Sequence, residues 1–188
     1  MELDYSEPGK VKISMEQFTR KVIDEFPEPP TKTVGTPADE HLVTVRDNDD
    51  PRRRLLDEKR AATFHRIVAM LLFLVVRPRP DCRNAVAFLS TRVKETDKDD
   101  WGKLRRLLRY LKRNLSHPLV LEADNLGLVH WHVDASFAVH VNMKSHTGGT
   151  MSLGRCSIIN TSQKQKINTR SSTKAKLVGC DDVVTRMQ

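Results

Sequence analysis

Residues 103–123 read Lys103-Leu104-Arg105-Arg106-Leu107-Leu108-Arg109-Tyr110-Leu111-Lys112-Arg113-Asn114-Leu115-Ser116-His117-Pro118-Leu119-Val120-Leu121-Glu122-Ala123, and two periodicities meet inside them. Leu104, Leu107, Leu108, Leu111 and Leu115 recur at the three- and four-residue spacing of one helical face. Lys103, Arg105, Arg106, Arg109, Lys112 and Arg113 fill most of the remaining surface. Ser116-His117-Pro118 stops the helix, because proline forces its predecessor out of helical geometry. From Leu119 the apolar period is two. A run of helices before this point and strands after it predict an α+β chain.

Working outward toward the N-terminus, Asp99 or Asp100 is the expected cap of that helix. Two further helices are expected over 57–76 and 81–93, separated by Arg77-Pro78-Arg79-Pro80. Thr31 to Arg54 reads as an irregular linker. Before it, Met15 to Phe26 has the spacing of an amphipathic helix capped by Ser14, and the first 15 residues alternate as a hairpin. Toward the C-terminus, strands are expected at 119–123, 126–136, 151–161 and 163–168, with a turn at Gly148-Gly149. A helix starting at Ser171-Ser172-Thr173 leads into 175–187.

The chain has 188 residues and a formal charge of +8. That charge is uneven. Residues 1–60 hold 11 basic and 14 acidic side chains, residues 61–117 hold 13 and 5, and residues 118–188 hold 8 and 5. Ala135 to Cys180 contains seven Lys or Arg and no Asp or Glu. A basic surface is what contact with phosphates requires, since each neutralised phosphate releases counterions. A solvated face that offsets acid elsewhere is the alternative. The longest apolar run, Ile67 to Val76, is half of what a membrane span needs. The acidic start is not a secretory signal. Three cysteines, Cys82, Cys156 and Cys180, form no disulfide framework or zinc spacing, and an intracellular setting is expected, with nucleus and cytoplasm not distinguished.

Several segments, in order, carry a family resemblance. Leu71-Leu72-Phe73-Leu74, Arg79-Pro80-Asp81, Ala85-Val86 and Leu89-Ser90 are followed by Trp101 and Leu107-Leu108-Arg109-Tyr110-Leu111-Lys112. Then come His132-Val133-Asp134-Ala135-Ser136, Gly148-Gly149, Lys164-Gln165-Lys166 and Ser171-Ser172-Thr173-Lys174-Ala175-Lys176. The ordered set resembles the copia-type LTR retrotransposon Pol polyprotein downstream of its polymerase active site. The resemblance implies a C-terminal, thumb- or connection-like helical segment of reverse transcriptase over 1–117. A partial RNase H-like mixed β-sheet with one helix would follow over 118–188. Its implied setting is a transposable element, with DNA copying and DNA integration as the element's business.

The chemistry implied by the resemblance is incomplete in these residues. A polymerase of this type holds magnesium with paired aspartates in a Y-x-D-D turn, and no such motif is present. Asp49-Asp50, Asp99-Asp100 and Asp181-Asp182 sit in a linker, at a helix cap and within a helix. RNase H chemistry needs several carboxylates converging on magnesium, a hard cation that takes oxygen ligands. The resemblance puts the lead catalytic and metal-ligating aspartate at Asp134. It puts the second carboxylate, a glutamate, at the position held here by Lys176. An ammonium can only donate; it repels a cation and can itself pair with Asp134. Lys174 likewise replaces a glutamate and removes a capping box with Ser171. The remaining carboxylates would lie beyond Gln188, and Asp181 points about 140° away from Lys176 on a helix. A degenerate site is therefore expected: no hydrolysis, no polymerase activity, and no bound magnesium, the family's cofactor.

His130 and His132 share one face of a strand, but no zinc spacing links them to His140, His146 or Cys156. The expected partners are RNA, DNA or an RNA–DNA hybrid, and an intact retrotransposon polyprotein, with no membrane. Lys103, Arg105, Arg106, Arg109, Lys164, Lys166 and Arg170 are the expected backbone contacts. A nonenzymatic nucleic-acid-binding or assembly module is the alternative, and a relic without selected function is a third reading.

Overall fold

Ser14 ends a strand rather than capping a helix, because its hydroxyl is used sideways, donating to Glu2 Oε2 at 3.1 Å. Strands β1 (Glu2–Asp4) and β2 (Lys10–Ser14) are adjacent in one three-stranded sheet, with β3 (Leu119–Glu122) beside β2. Helix α1 (Glu16–Asp24) starts after Met15, which offers no side-chain cap. The computed structural model describes residues 1–47 and 49–184. The chain divides into two compact units. One comprises Met1–Glu2 and Ile13–Leu119, the other Leu3–Lys12 and the chain from Val120 onward.

The first unit is built from helices. After α1 come α2 (Glu58–Val75), a 3₁₀ turn at Pro80–Cys82, α3 (Arg83–Thr91) and α4 (Lys98–Arg113). The described residues of 31–54 carry no helix or strand. The cap of α4 is Asp97, not Asp99 or Asp100. Its carboxylate accepts from the backbone N–H groups of Asp99 and Asp100, while Asp100 returns a bond to the Asp97 N–H. This reciprocal box satisfies donors that a helix start leaves unpaired. Four leucines of the stripe, Leu104, Leu107, Leu108 and Leu111, have no exposed surface, and Leu115 is half-buried against them. They join Phe64, Ile67, Leu71, Leu74, Val86 and Leu89 in one core, closed at an edge by Phe26 stacked near Trp101, centroids 4.7 Å apart.

Arg79 is buried within this unit. It donates from Nε to Asp81 Oδ1 at 3.0 Å and from Nη1 to the Asn114 carbonyl at 2.8 Å, while the Tyr110 hydroxyl donates to Asp81 Oδ2 at 2.8 Å. A buried charge needs this degree of satisfaction. The network fastens the turn before α3 to the end of α4.

In the second unit β4 (His130–Ser136), β5 (His146–Ser152) and β6 (Ser157–Lys164) form a sheet in that order. The expected mixed sheet is antiparallel throughout its described strands. Its connections are short, and parallel pairing needs a crossover of a dozen or more residues. Gly148 and Gly149 are not a turn but lie mid-strand, opposite Asp134 and Val133. A Cβ on Gly149 would come within 2.9 Å of both Thr161 Oγ1 and Val183 Cγ2. The glycine is there so that helix α5 (Ser172–Val184) can sit close to the sheet. The chain turns at 153–156 instead, where Gly154 passes against the backbone of Glu122 and Asp124. The expected strand 151–161 is thus the end of β5 and the body of β6, and the short strand expected at 163–168 begins with the last two residues of β6. Residues 126–129 lie outside β4. The end of the helix expected over 175–187 falls in part outside the described residues.

Candidate functional site

Asp134 lies near the end of β4, one residue before the buried Ala135, and is 78% exposed. Alternation along the strand accounts for this: Ala135 turns toward α5 while its neighbours turn away. Lys176 lies in the first turns of α5, whose start is held by the Ser171 hydroxyl accepting from the Lys174 N–H at 3.2 Å. Lys176 Nζ stands 3.3 Å from Asp134 Oδ1. The Asp134 carboxyl is held below its ordinary range, first by the Ala135 N–H and then by the Lys176 ammonium.

These residues do not fit magnesium. One carboxylate faces one ammonium where an oxygen-ligand cage would need several acids. Asp182 on α5 accepts from Thr147 Oγ1 at 3.0 Å and is engaged against the sheet. Among the described residues, no group of three or more His, Cys, Asp or Glu side chains is arranged to hold a metal ion. His130 and His132 are exposed on β4.

The seven basic residues fall into two sets. Lys103, Arg105, Arg106 and Arg109 belong to α4, and an irregular segment over 28–46 lies against them. Lys103 Nζ donates to the Thr44 carbonyl at 2.6 Å and sits 4.6 Å from the Phe88 ring centre. Arg105 pairs with Glu28 at 3.5 Å. Arg106 donates to Thr36 Oγ1 at 2.9 Å and pairs with Asp39 at 3.4 Å. Lys112 donates to the Pro30 carbonyl at 2.7 Å, and Arg46 pairs with Asp99. Arg109 faces a cleft beside this segment. In the second unit Lys164 ends β6, while Lys166 and Arg170 are exposed in the connection to α5.

Two arrangements escaped the sequence reading. Gln165, fully buried, donates from Nε2 to Thr147 Oγ1 at 3.0 Å and to the Ala175 carbonyl at 2.8 Å. It ties the end of β6 to the first turn of α5, where Lys176 sits. His140 Nε2 lies 3.0 Å from His146 Nδ1, and His146 Nε2 lies 2.7 Å from Ser162 Oγ. Burial, then His146 and Lys164, pushes His140 down to about 4, and burial also lowers His146. Nothing in a lone buried glutamine or in histidines six residues apart signals either contact before the register is known.

The chain is 24% identical over 179 residues to the retrovirus-related Pol polyprotein from transposon TNT 1-94 of Nicotiana tabacum, an alignment covering 95% of this chain and 13% of that protein. It is 35% identical over 114 residues to the corresponding polyprotein from transposon RE2 of Arabidopsis thaliana, covering 60% of this chain and 8% of that one. This chain is a homologue of retrovirus-related Pol polyproteins from plant transposons. An uncharacterized mitochondrial protein of Arabidopsis thaliana is 32% identical over 114 residues, 60% of this chain and 47% of its own length. The chain therefore spans a small part of the Pol polyproteins it matches. No family model matches it. No solved structure matches it significantly. Among the described residues no helix is long and apolar enough to cross a membrane.

Proposed function

We propose that this homologue of transposon Pol polyproteins is a catalytically inactive copia-type fragment. On this reading the first unit descends from the C-terminal part of a reverse transcriptase, the second from an RNase H-like sheet, and the chain's role is to bind RNA or an RNA–DNA hybrid. The observation that carries the inactivity is the Asp134–Lys176 pair, Nζ to Oδ1 at 3.3 Å. An ammonium takes the place of a second carboxylate, so the site attracts neither magnesium nor a metal-activated water. Exposure makes the pair replaceable without repacking, since Lys176 is 62% exposed.

Nucleic-acid binding is supported by the acid-free run from Ala135 to Cys180 and by exposed Lys166 and Arg170. The α4 set contributes less than its charge suggests, because Lys103, Arg105 and Arg106 already have partners in segment 28–46.

Manganese binding, followed by water-proton relaxation, tests the metal half of this reading. Wild type is expected to show no site above nonspecific background. Lys176→Glu places two carboxylates where the pair now stands and is expected to gain weak manganese binding that Asp134→Asn abolishes. Tight manganese binding by wild type contradicts the reading.

A further inference from the structure

We infer that the cleft between segment 34–42 and the first three turns of α4 is a phosphoryl-binding site. The inference rests on the nucleic-acid reading only for the source of the phosphoryl group. The cleft has a volume of about 420 Å³ and is lined by Lys98, Lys103, Arg105, Arg106 and Arg109 against two acids, Asp39 and Asp99. Asp99 is taken by Arg46. Asp39 meets Arg106 through Nη1, at a loose 3.4 Å. Gly102 adds no side chain to the wall and faces open space.

The decisive feature is two orphan donors. Arg106 Nε and Arg109 Nε are both buried and have no acceptor among the described residues. They belong to residues three apart on one helix, so they stand on one face, about a turn from each other. Buried N–H groups without a partner are rare, because burial forfeits the bond to water. Of the two acids lining the cleft, Asp99 pairs with Arg46 and Asp39 meets Arg106 on another nitrogen, so neither accepts from the two Nε donors. A planar carboxylate has two oxygens; a phosphoryl group has three terminal oxygens in a tetrahedron. It can accept from both guanidinium groups together while a lysine adds charge, the pairing that arginine forks make best. Asp39 then acts as a partial stand-in for the ligand.

The test uses the full chain with two ligands, pyrophosphate followed by ³¹P NMR and a short 5′-phosphorylated oligonucleotide followed by fluorescence anisotropy. The expected result is binding of pyrophosphate that Arg109→Gln weakens about tenfold, that Arg109→Lys weakens less, and that Asp39→Asn tightens. Circular dichroism checks the fold of each variant. Should Arg109→Gln fail to fold, the Asp39→Asn arm decides alone. Failure of pyrophosphate to bind, or affinities that neither Arg109→Gln nor Asp39→Asn moves, overturns the cleft. Oligonucleotide binding indifferent to both variants, together with pyrophosphate binding that neither variant moves, overturns the cleft and leaves the nucleic-acid reading standing. Pyrophosphate binding that depends on Arg109, with no oligonucleotide binding, keeps the cleft for a free phosphoryl ligand and removes the nucleic-acid reading of α4.

Discussion

The two units keep water out by different means. The helical unit buries large apolar side chains, with twenty residues in one continuous core from Met15 to Leu111. Among the described residues of the sheet unit the buried apolar side chains are Ala135, Ala175 and Val183, and beside them lie the buried polar side chains of Ser145, Thr147, Thr161, Gln165 and His140. Apolar burial contributes about 25 cal/mol per Å², whereas an exchanged hydrogen bond contributes about 1 kcal/mol net. The first unit is therefore held by area and tolerates polar changes at its surface. The second depends on geometry: Thr147 receives from Gln165 and donates to Asp182, and each bond matters because an unmet buried group is costly.

The largest effect that sharpens this contrast is a truncation in the leucine stripe. Leu108→Ala leaves a cavity at a site with no exposed surface and is expected to cost about 2–5 kcal/mol, read from the urea midpoint of the helical unit. Val183→Ala, the corresponding change in the sheet unit, is expected to cost about 1–2 kcal/mol. Equal losses at both sites would dissolve the distinction.

Crowding should reverse the order of sensitivity. Gly149→Ala sets a methyl within 2.9 Å of Val183 Cγ2 and Thr161 Oγ1. It is expected to loosen α5 from the sheet at a cost of about 1–3 kcal/mol. Hydrogen exchange should show lost protection in β5, β6 and α5 with none lost in α2, α3 or α4. Unchanged exchange in β5 would refute the close-packing role of this glycine.

The smallest expected effect is on pH. The ordinary histidine value is 6.5, and burial holds His140 near 4 in the folded chain. Between these values the unfolded chain takes up a proton that the folded chain refuses, so stability is full above about pH 6.5 and falls as pH drops toward 4. His146 is lowered by burial and adds in the same direction. The sheet unit should show this acid sensitivity, and His140→Gln should flatten it. A urea midpoint for the sheet unit that rises on acidification would contradict the assignment.

How much of this was legible in the sequence follows the same divide. The leucine stripe of α4 could be read because a core made of area leaves a period in the apolar residues. The sheet unit left weaker marks. Gly148-Gly149 reads as a turn because a glycine needed for close approach looks the same as one needed for a bend. Asp97 is not distinguished from Asp99 and Asp100 in the sequence, because three acids in four residues offer equivalent caps until the helix axis is fixed. Asp134 and Lys176 could be singled out through the family resemblance, but their separation depends on α5 crossing the sheet over Gly149. The α4 cations could be counted; that Glu28, Thr36, Asp39 and Thr44 would meet them could not, since an irregular segment has no period to follow.

The central claim is that an ion pair stands where a metal centre would be. Cleavage of an end-labelled RNA–DNA hybrid, in magnesium and in manganese, tests it most directly, with Asp134→Asn alongside. The expected result is no cleavage by the folded wild-type chain in either metal. Cleavage by wild type that Asp134→Asn abolishes would show a working metal site and contradict the role assigned to Lys176.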